Sequence, residues 1–225
     1  MHTFGAAALG IRDNVGVKST YMPLLCASVF FGLATSADAS AQAVATASRT
    51  ISPSVFVMGS GVFTGLEAYG ETSWTGGKNA SVTAGFDVGV YSLGRYTVGV
   101  EARGRYPGYS GKIVGERNIL GGLRIAREPS SNGRLRPYVD GLFGRGQMNY
   151  QQGGYVVSNL LYTQTASNVY AGGAGVEYDV TQHFSGKLDG QVERWNTPVP
   201  KGGVVHSTVI SLGLVYRFGA GEGPR

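Results

Sequence analysis

Thr208-Val209-Ile210-Ser211-Leu212-Gly213-Leu214-Val215-Tyr216-Arg217-Phe218 changes character at every second position. Successive side chains of a strand point to opposite faces. Thr208, Ile210, Leu212, Leu214, Tyr216 and Phe218 therefore share one face, and Ser207, Val209, Ser211, Gly213, Val215 and Arg217 share the other. The first face suits hydrocarbon and the second a crowded, partly polar interior. A sheet in water can alternate in a similar way. The rest of the chain has to decide between a barrel in a membrane and a sandwich in solvent.

The same split recurs upstream. In 80–92, Val82, Ala84, Phe86, Val88 and Val90 oppose Thr83, Gly85, Asp87 and Gly89. In 95–107, Tyr96, Val98, Val100 and Ala102 oppose Thr97, Gly99, Glu101, Arg103 and Arg105. In 117–127, Ile119, Leu123 and Ile125 stand against Gly122 and Arg124. In 168–180, Tyr170, Ala174, Val176, Tyr178 and Val180 oppose Gly173, Gly175, Glu177 and Asp179. In 183–195, Phe184, Leu188 and Val192 oppose Lys187, Asp189, Gln191 and Glu193. Two segments are less regular. One is 62–74, with Leu66 against Glu67 and Glu71. The other is 134–149, with Val139 and Phe143 against Tyr138 and Asp140, and with Arg145 on the apolar face, above the lipid or beyond a bulge. With 207–218 this makes eight segments of bilayer-crossing length. Eight strands also make a barrel whose interior side chains just fill.

The expected connections alternate in length. Leu93-Gly94, 128–133 and 181–182 are short, whereas 108–116, 150–167 and 196–206 are longer; the first, 75–79, is short and breaks the pattern. Short turns on one side and long loops on the other suit a barrel with both termini in the periplasm. Trp74, Tyr91, Tyr96, Tyr106, Tyr150 and Trp195 lie near strand ends, as interfacial girdles require.

Composition agrees. Charged residues are 15% of the chain and glycines number 37 of 225, scattered among apolar residues without a collagen period. The net charge is +5, yet Lys and Arg do not cluster, so no nucleic-acid partner is expected. Residues 22–35 form an uncharged apolar run. Arg12 and Lys18 precede it, and Ala39-Ser40-Ala41 follows. These are the three parts of a secretory signal peptide, with cleavage expected after Ala41. The run is shorter than the roughly 20 residues of a spanning helix. Cys26, the single cysteine, leaves with it. The expected organisation is a signal peptide at 1–41, a periplasmic lead-in at 42–61, the barrel at 62–218 and a tail at 219–225. The expected fold is all-β, an eight-stranded antiparallel up-and-down transmembrane barrel. The export signal, the glycines and the loop asymmetry favour it over a sandwich.

A narrow lumen then receives Glu67, Glu71, Asp87, Glu101, Asp140, Glu177, Asp179, Asp189 and Glu193, together with Arg103, Arg105, Arg124, Lys187 and Arg217. Unpaired charges are costly there, so a network of ion pairs is expected to fill the barrel. The alternative is a narrow pore that prefers cations. No enzyme is expected. His183-Phe184-Ser185 lies at a short turn, and adjacent residues such as His206 and Ser207 point to opposite faces. No cofactor or metal site is expected either, because Gly-x-Gly pairs here lie within strands and histidines are few. The loop 150–167 is uncharged. Its Tyr155, Val156, Val157, Leu160, Leu161 and Tyr162 suit either a contact site or packing on the barrel's own rim.

Three stretches carry a family resemblance. They are Arg136-Pro137-Tyr138-Val139-Asp140-Gly141, Gly172-Gly173-Ala174-Gly175-Val176-Glu177-Tyr178 and Leu212-Gly213-Leu214-Val215-Tyr216-Arg217-Phe218. Over 62–218 the chain resembles the small outer-membrane β-barrel family, similar to the barrel of outer-membrane protein A. The resemblance implies the outer membrane of a Gram-negative-type bacterium, reached through the Sec pathway. It implies outer-membrane lipid and the barrel-assembly machinery as partners, with Leu212, Leu214, Tyr216 and Phe218 as the assembly signal. It also implies a structural or adhesin-like role with an extracellular ligand or surface partner.

Overall fold

A computed structural model describes residues 52–66, 77–110, 114–129, 133–199 and 203–218. The expected signal peptide, Cys26, Glu67, Glu71, Trp74 and the tail 219–225 lie outside the described residues. The strands are β1 (Pro53–Thr64), β2 (Lys78–Leu93), β3 (Tyr96–Tyr109), β4 (Val114–Arg127), β5 (Leu135–Tyr150), β6 (Tyr155–Val157), β7 (Leu160–Tyr162), β8 (Gln164–Asp179), β9 (Phe184–Asn196) and β10 (Val204–Arg217). Eight of them close a barrel in the order β1-β10-β9-β8-β5-β4-β3-β2, and β6 pairs with β7 alone. All barrel pairings are antiparallel. β1 closes on β10 from Ser54↔Arg217 to Thr64↔Ser207. Closure leaves no open edge, the condition for strands to cross hydrocarbon.

The first strand differs from expectation. It is Pro53–Thr64, so most of it falls in the stretch expected as lead-in, and the expected strand 62–74 overlaps it only at its end. The reason is a mixed pattern. Phe56, Met58 and Val62 point inward, while Gly59 and Gly61 sit on the outer face, so the usual contrast between faces is missing. The shift also removes the exceptional short first connection, because residues 65–77 now join β1 to β2. Long loops at 65–77 and 151–163 share one end of the barrel with 110–113 and 197–203. The turn 94–95 and the connections 128–134 and 180–183 share the other.

Local chemistry fits the turns. Gly94 has φ +60° at the first position of a two-residue turn between Leu93 and Tyr96, as a type II′ hairpin requires. Ser158 and Asn159 both have positive φ between Val157 and Leu160, the signature of a type I′ hairpin.

The exterior is apolar and open to its surroundings. Val57, Leu123, Leu188, Leu212 and Leu214 are all about half exposed or more. A continuous belt of such residues around a closed ladder is lipid-facing surface, and the barrel is a transmembrane one. At the short-turn end Tyr216 packs against Phe184 and Phe218, and Tyr91 and Tyr96 are exposed nearby. Strands of 12 to 16 residues exceed the roughly 9–11 needed for a tilted crossing. The surplus projects at the long-loop end, where the outer face turns polar: Arg145, Gln147 and Asn149 on β5, Gln164 and Asn168 on β8. Arg145 stands in unbroken register between Ile119 and Asn168, so no bulge is involved. The two girdle assignments that fail are Trp195 and Tyr150, both buried inside the barrel.

The seam between β1 and β10 depends on a close approach. A Cβ on Gly213 would stand 2.0 Å from the Val57 carbonyl oxygen and 2.5 Å from Met58 Cα, whereas one on Gly172 would meet nothing within 4 Å. Gly213→Val is therefore expected to abolish the fast-migrating band of the unboiled protein on a detergent gel, and Gly172→Val to retain it. Equal behaviour of the two variants would contradict this account of the seam.

Candidate functional site: the filled lumen and the long-loop rim

Period-two alternation delivers charge to the interior from every barrel strand except β1. The twelve described residues of the expected lumen set all face inward, and they meet in three layers. Nearest the short turns, Arg217 bonds Glu177, contacts Asp179 at 2.6 Å and donates to Ser185 Oγ at 2.7 Å. Ser185 in turn donates to Asp179 at 2.8 Å. Arg124 bridges Glu177 and Asp87, the latter at 2.8 Å, and its guanidinium lies 4.0 Å from the centre of the Tyr138 ring.

In the middle layer Arg103 engages three carboxylates. It donates to Glu101 from Nε at 2.7 Å, to Asp189 from Nη1 at 2.7 Å and to Asp140 from Nη2 at 3.2 Å. Tyr138 donates to Asp189 at 2.8 Å and Gln191 to Asp140 at 2.9 Å. Lys187 is completely buried here. Its Nζ lies 3.8 Å from the Phe56 ring centre and 4.9 Å from that of Tyr138, with Glu101 Oε2 at 3.7 Å. Cation–π contact takes the place of hydrogen bonds at this ammonium.

Toward the long loops Arg105 forks onto Glu193 with two bonds of 2.7 Å and reaches Glu116 at 3.2 Å. Asn118 and the Trp195 indole both donate to Glu193 at 3.1 Å. Glu116 also accepts from Thr64 and, at 2.8 Å, from Ser207. Glu116 is absent from the expected lumen set because the expected loop 108–116 contains it. The alternation Glu116-x-Asn118-x-Leu120-x-Gly122-x-Arg124 is the signal that extends β4 back to it.

Around and above this layer apolar side chains fill much of the lumen. Val114, Leu120, Leu142, Met148, Tyr150, Val169, Trp195 and Val205 form one buried apolar cluster, and Tyr155 and Tyr162 pack against it. A Cβ on Gly146 would stand 2.3 Å from the Trp195 ring, so this glycine makes room for the indole. The Tyr150 hydroxyl is shared with Thr165 at 2.9 Å and Thr197 at 2.8 Å. The hairpin β6–β7 thus divides between packing and exposure. Tyr155 and Tyr162 pack on the rim, and Val156, Leu160 and Leu161 are 60–65% exposed. Rim packing and exposure fall to different residues of one loop.

The histidine–serine pairs do not come together. Ser185 belongs to the Arg217–Asp179 cluster, while His183 Nδ1 sits 3.2 Å from the Arg217 carbonyl oxygen. His206 faces outward and Ser207 inward, onto Glu116. In the terminal strand Leu212, Leu214 and Phe218 are exposed, and Tyr216 lies against the His183, Phe184 and Phe218 rings.

A closed ladder, an apolar exterior and an interior filled by side chains define a small eight-stranded transmembrane β-barrel. No family model matches the chain. No curated protein matches it by sequence. Among solved structures it is similar to Neisserial surface protein A, at 11% identity over 75% of this chain and 97% of that one, with a TM-score of 0.46. It is similar to a major outer membrane protein from Thermus thermophilus, at 13% identity over 74% and 99% of the two chains, TM-score 0.43. It is also similar to Ail, the attachment invasion locus protein of Yersinia pestis, at 13% identity over 75% and 97%, TM-score 0.40.

Removing Arg103 leaves three buried carboxylates facing one another. Arg103→Ala is expected to lower the unfolding free energy in lipid vesicles by about 3–5 kcal/mol, the cost of breaking a buried ion pair. Arg127→Ala, at an exposed position, is expected to change it by less than about 0.5 kcal/mol. Urea titration followed by tryptophan fluorescence measures both.

Proposed function

We propose that this protein is a non-catalytic barrel of a Gram-negative-type outer membrane, with a plugged interior and a working surface on its long-loop rim. The observation that carries the reading is the division of the β6–β7 hairpin. Tyr155 and Tyr162 anchor it on the apolar seal, while Val156 and Leu161 on the opposite face, and Leu160 beside the turn, are exposed to the surroundings. Apolar residues held out on a rigid hairpin mark a contact surface. The partner in this reading is an extracellular protein or surface with an apolar complement.

The outer-membrane setting is supported by the barrel itself, because bacterial single-chain barrels of this kind have even strand numbers, short periplasmic turns and longer outer loops. Export through the Sec pathway, with residues 1–41 removed on translocation, is supported by the apolar run and the Ala39-Ser40-Ala41 site. The outward row Leu212, Leu214, Tyr216 and Phe218 is the segment offered to the barrel-assembly machinery. The narrow pore is the weaker reading, since ion pairs occupy the lumen in every layer and an apolar cluster covers their outer end.

The variant Val156→Ser/Leu160→Ser/Leu161→Ser tests the surface role. Cells carrying it are expected to lose most of their adhesion to neighbouring cells and protein-coated surfaces, with an unchanged amount of heat-modifiable protein in the outer-membrane fraction. Undiminished adhesion at equal protein level would sink the assignment of the hairpin.

A further inference from the structure

Charge is partitioned across the barrel wall. Among the described strand residues, every carboxylate faces the lumen: Asp87 on β2, Glu101 on β3, Glu116 on β4, Asp140 on β5, Glu177 and Asp179 on β8, Asp189 and Glu193 on β9. The outer face carries cations instead. Arg145 on β5 and Arg194 on β9 are both exposed, flank β8 on either side, and have no acidic partner among the described residues. In a protein whose buried arginines each collect two or three carboxylates, these two guanidiniums on one patch keep their donors free for an anionic ligand from outside.

Their placement says what kind. Arg145 follows two residues after Phe143, whose ring packs 5.0 Å from that of Tyr170, and Arg194 pairs in register with Tyr170. Arg145 therefore leaves the wall just beyond an aromatic pair that borders the apolar band, and Arg194 leaves it beside that pair. Arg145 is paired with Asn168, and Arg194 with His206, which adds further polar side chains between and beside them. The two arginines are separated by two strand spacings and a two-residue offset along the strands, about 12 Å in all, a gap that their long side chains can close over one headgroup. Below them the wall offers exposed Val192 and Ile210 for hydrocarbon chains. Anionic oxygen above hydrocarbon is the profile of a phosphorylated lipid lying against the wall.

We propose that Arg145 and Arg194 form a binding site for the phosphates of a phosphorylated glycolipid in the leaflet at the long-loop end. The choice of glycolipid over phospholipid rests on the outer-membrane reading given above, in which that leaflet is the outer one. Arginine suits the task because its planar fork meets phosphate oxygens in two parallel bonds.

Native mass spectrometry of the refolded full chain in detergent tests this, with bisphosphorylated lipid A and, separately, phosphatidylglycerol as probes. The wild type is expected to hold one lipid A molecule. The variant R145Q/R194Q is expected to bind it about thirtyfold more weakly, as for two interfacial cations acting independently. R127Q, at the opposite rim, is expected to bind like wild type. Equal lipid A binding by R145Q/R194Q and wild type overturns the site, as does no adduct on a heat-modifiable wild-type barrel. Equal retention of phosphatidylglycerol and lipid A overturns the glycolipid assignment. Failure of the wild type to show a heat-dependent gel shift overturns the barrel reading itself, and the site with it.

Discussion

Inside this barrel four guanidinium groups do what water would do in a wider one. Arg103, Arg105, Arg124 and Arg217 each meet at least two carboxylates contributed by other strands. Eight strands enclose a space that side chains just fill, so charge placed there has no solvent to fall back on. Each fork ties together strands far apart in sequence. Arg103 of β3 holds Asp140 of β5 and Asp189 of β9, across the barrel. The ladder of backbone hydrogen bonds fixes the wall, and these forks fix what lies within it. A buried network of this kind is high-stakes: satisfied, it makes one arrangement far better than its rivals, and broken at one member it leaves bare charge.

The rest of the architecture follows from that filling. Carboxylates directed inward leave the outer faces of the described strands with only cations and neutral residues, compatible with hydrocarbon in the middle and with anionic headgroups at its edge. Strands longer than the bilayer raise the network's upper end toward the rim, where Trp195 and its apolar neighbours cover it. That cover is also the floor on which Tyr155 and Tyr162 seat the β6–β7 hairpin. A rigid plug thus supports an exposed apolar surface on the long-loop rim.

The barrel was legible because most strands obey a simple contrast between faces. In β3 from Thr97 to Arg105 and in β9 from Phe184 to Glu193 the inward row is polar, charged or small and the outward row apolar or glycine, and reading every second residue recovers both. Where the contrast is mixed, the reading fails. β1 places Phe56 and Met58 inside and Gly59 outside, and so looks like an unstructured lead-in. The apolar seal was hidden for the same reason, since Val114, Leu142, Met148 and Val169 point into the lumen and resemble lipid-facing residues in sequence. Trp195 shows the limit most clearly. A tryptophan near a strand end suits an interfacial girdle, but its parity with Glu193 and Gln191 puts it on the inward row. Parity decides the face and residue type does not. Which carboxylate each arginine selects depends on barrel stagger, which no single strand encodes.

The central claim is that paired charge and an apolar seal close the lumen. Current through a planar bilayer into which the purified barrel has been inserted tests it most directly. A quiet baseline across a wide range of voltage is the predicted result. Reproducible unitary steps, at a protein level where the heat-modifiable form predominates, would contradict it and make the carboxylate-rich interior a cation pathway.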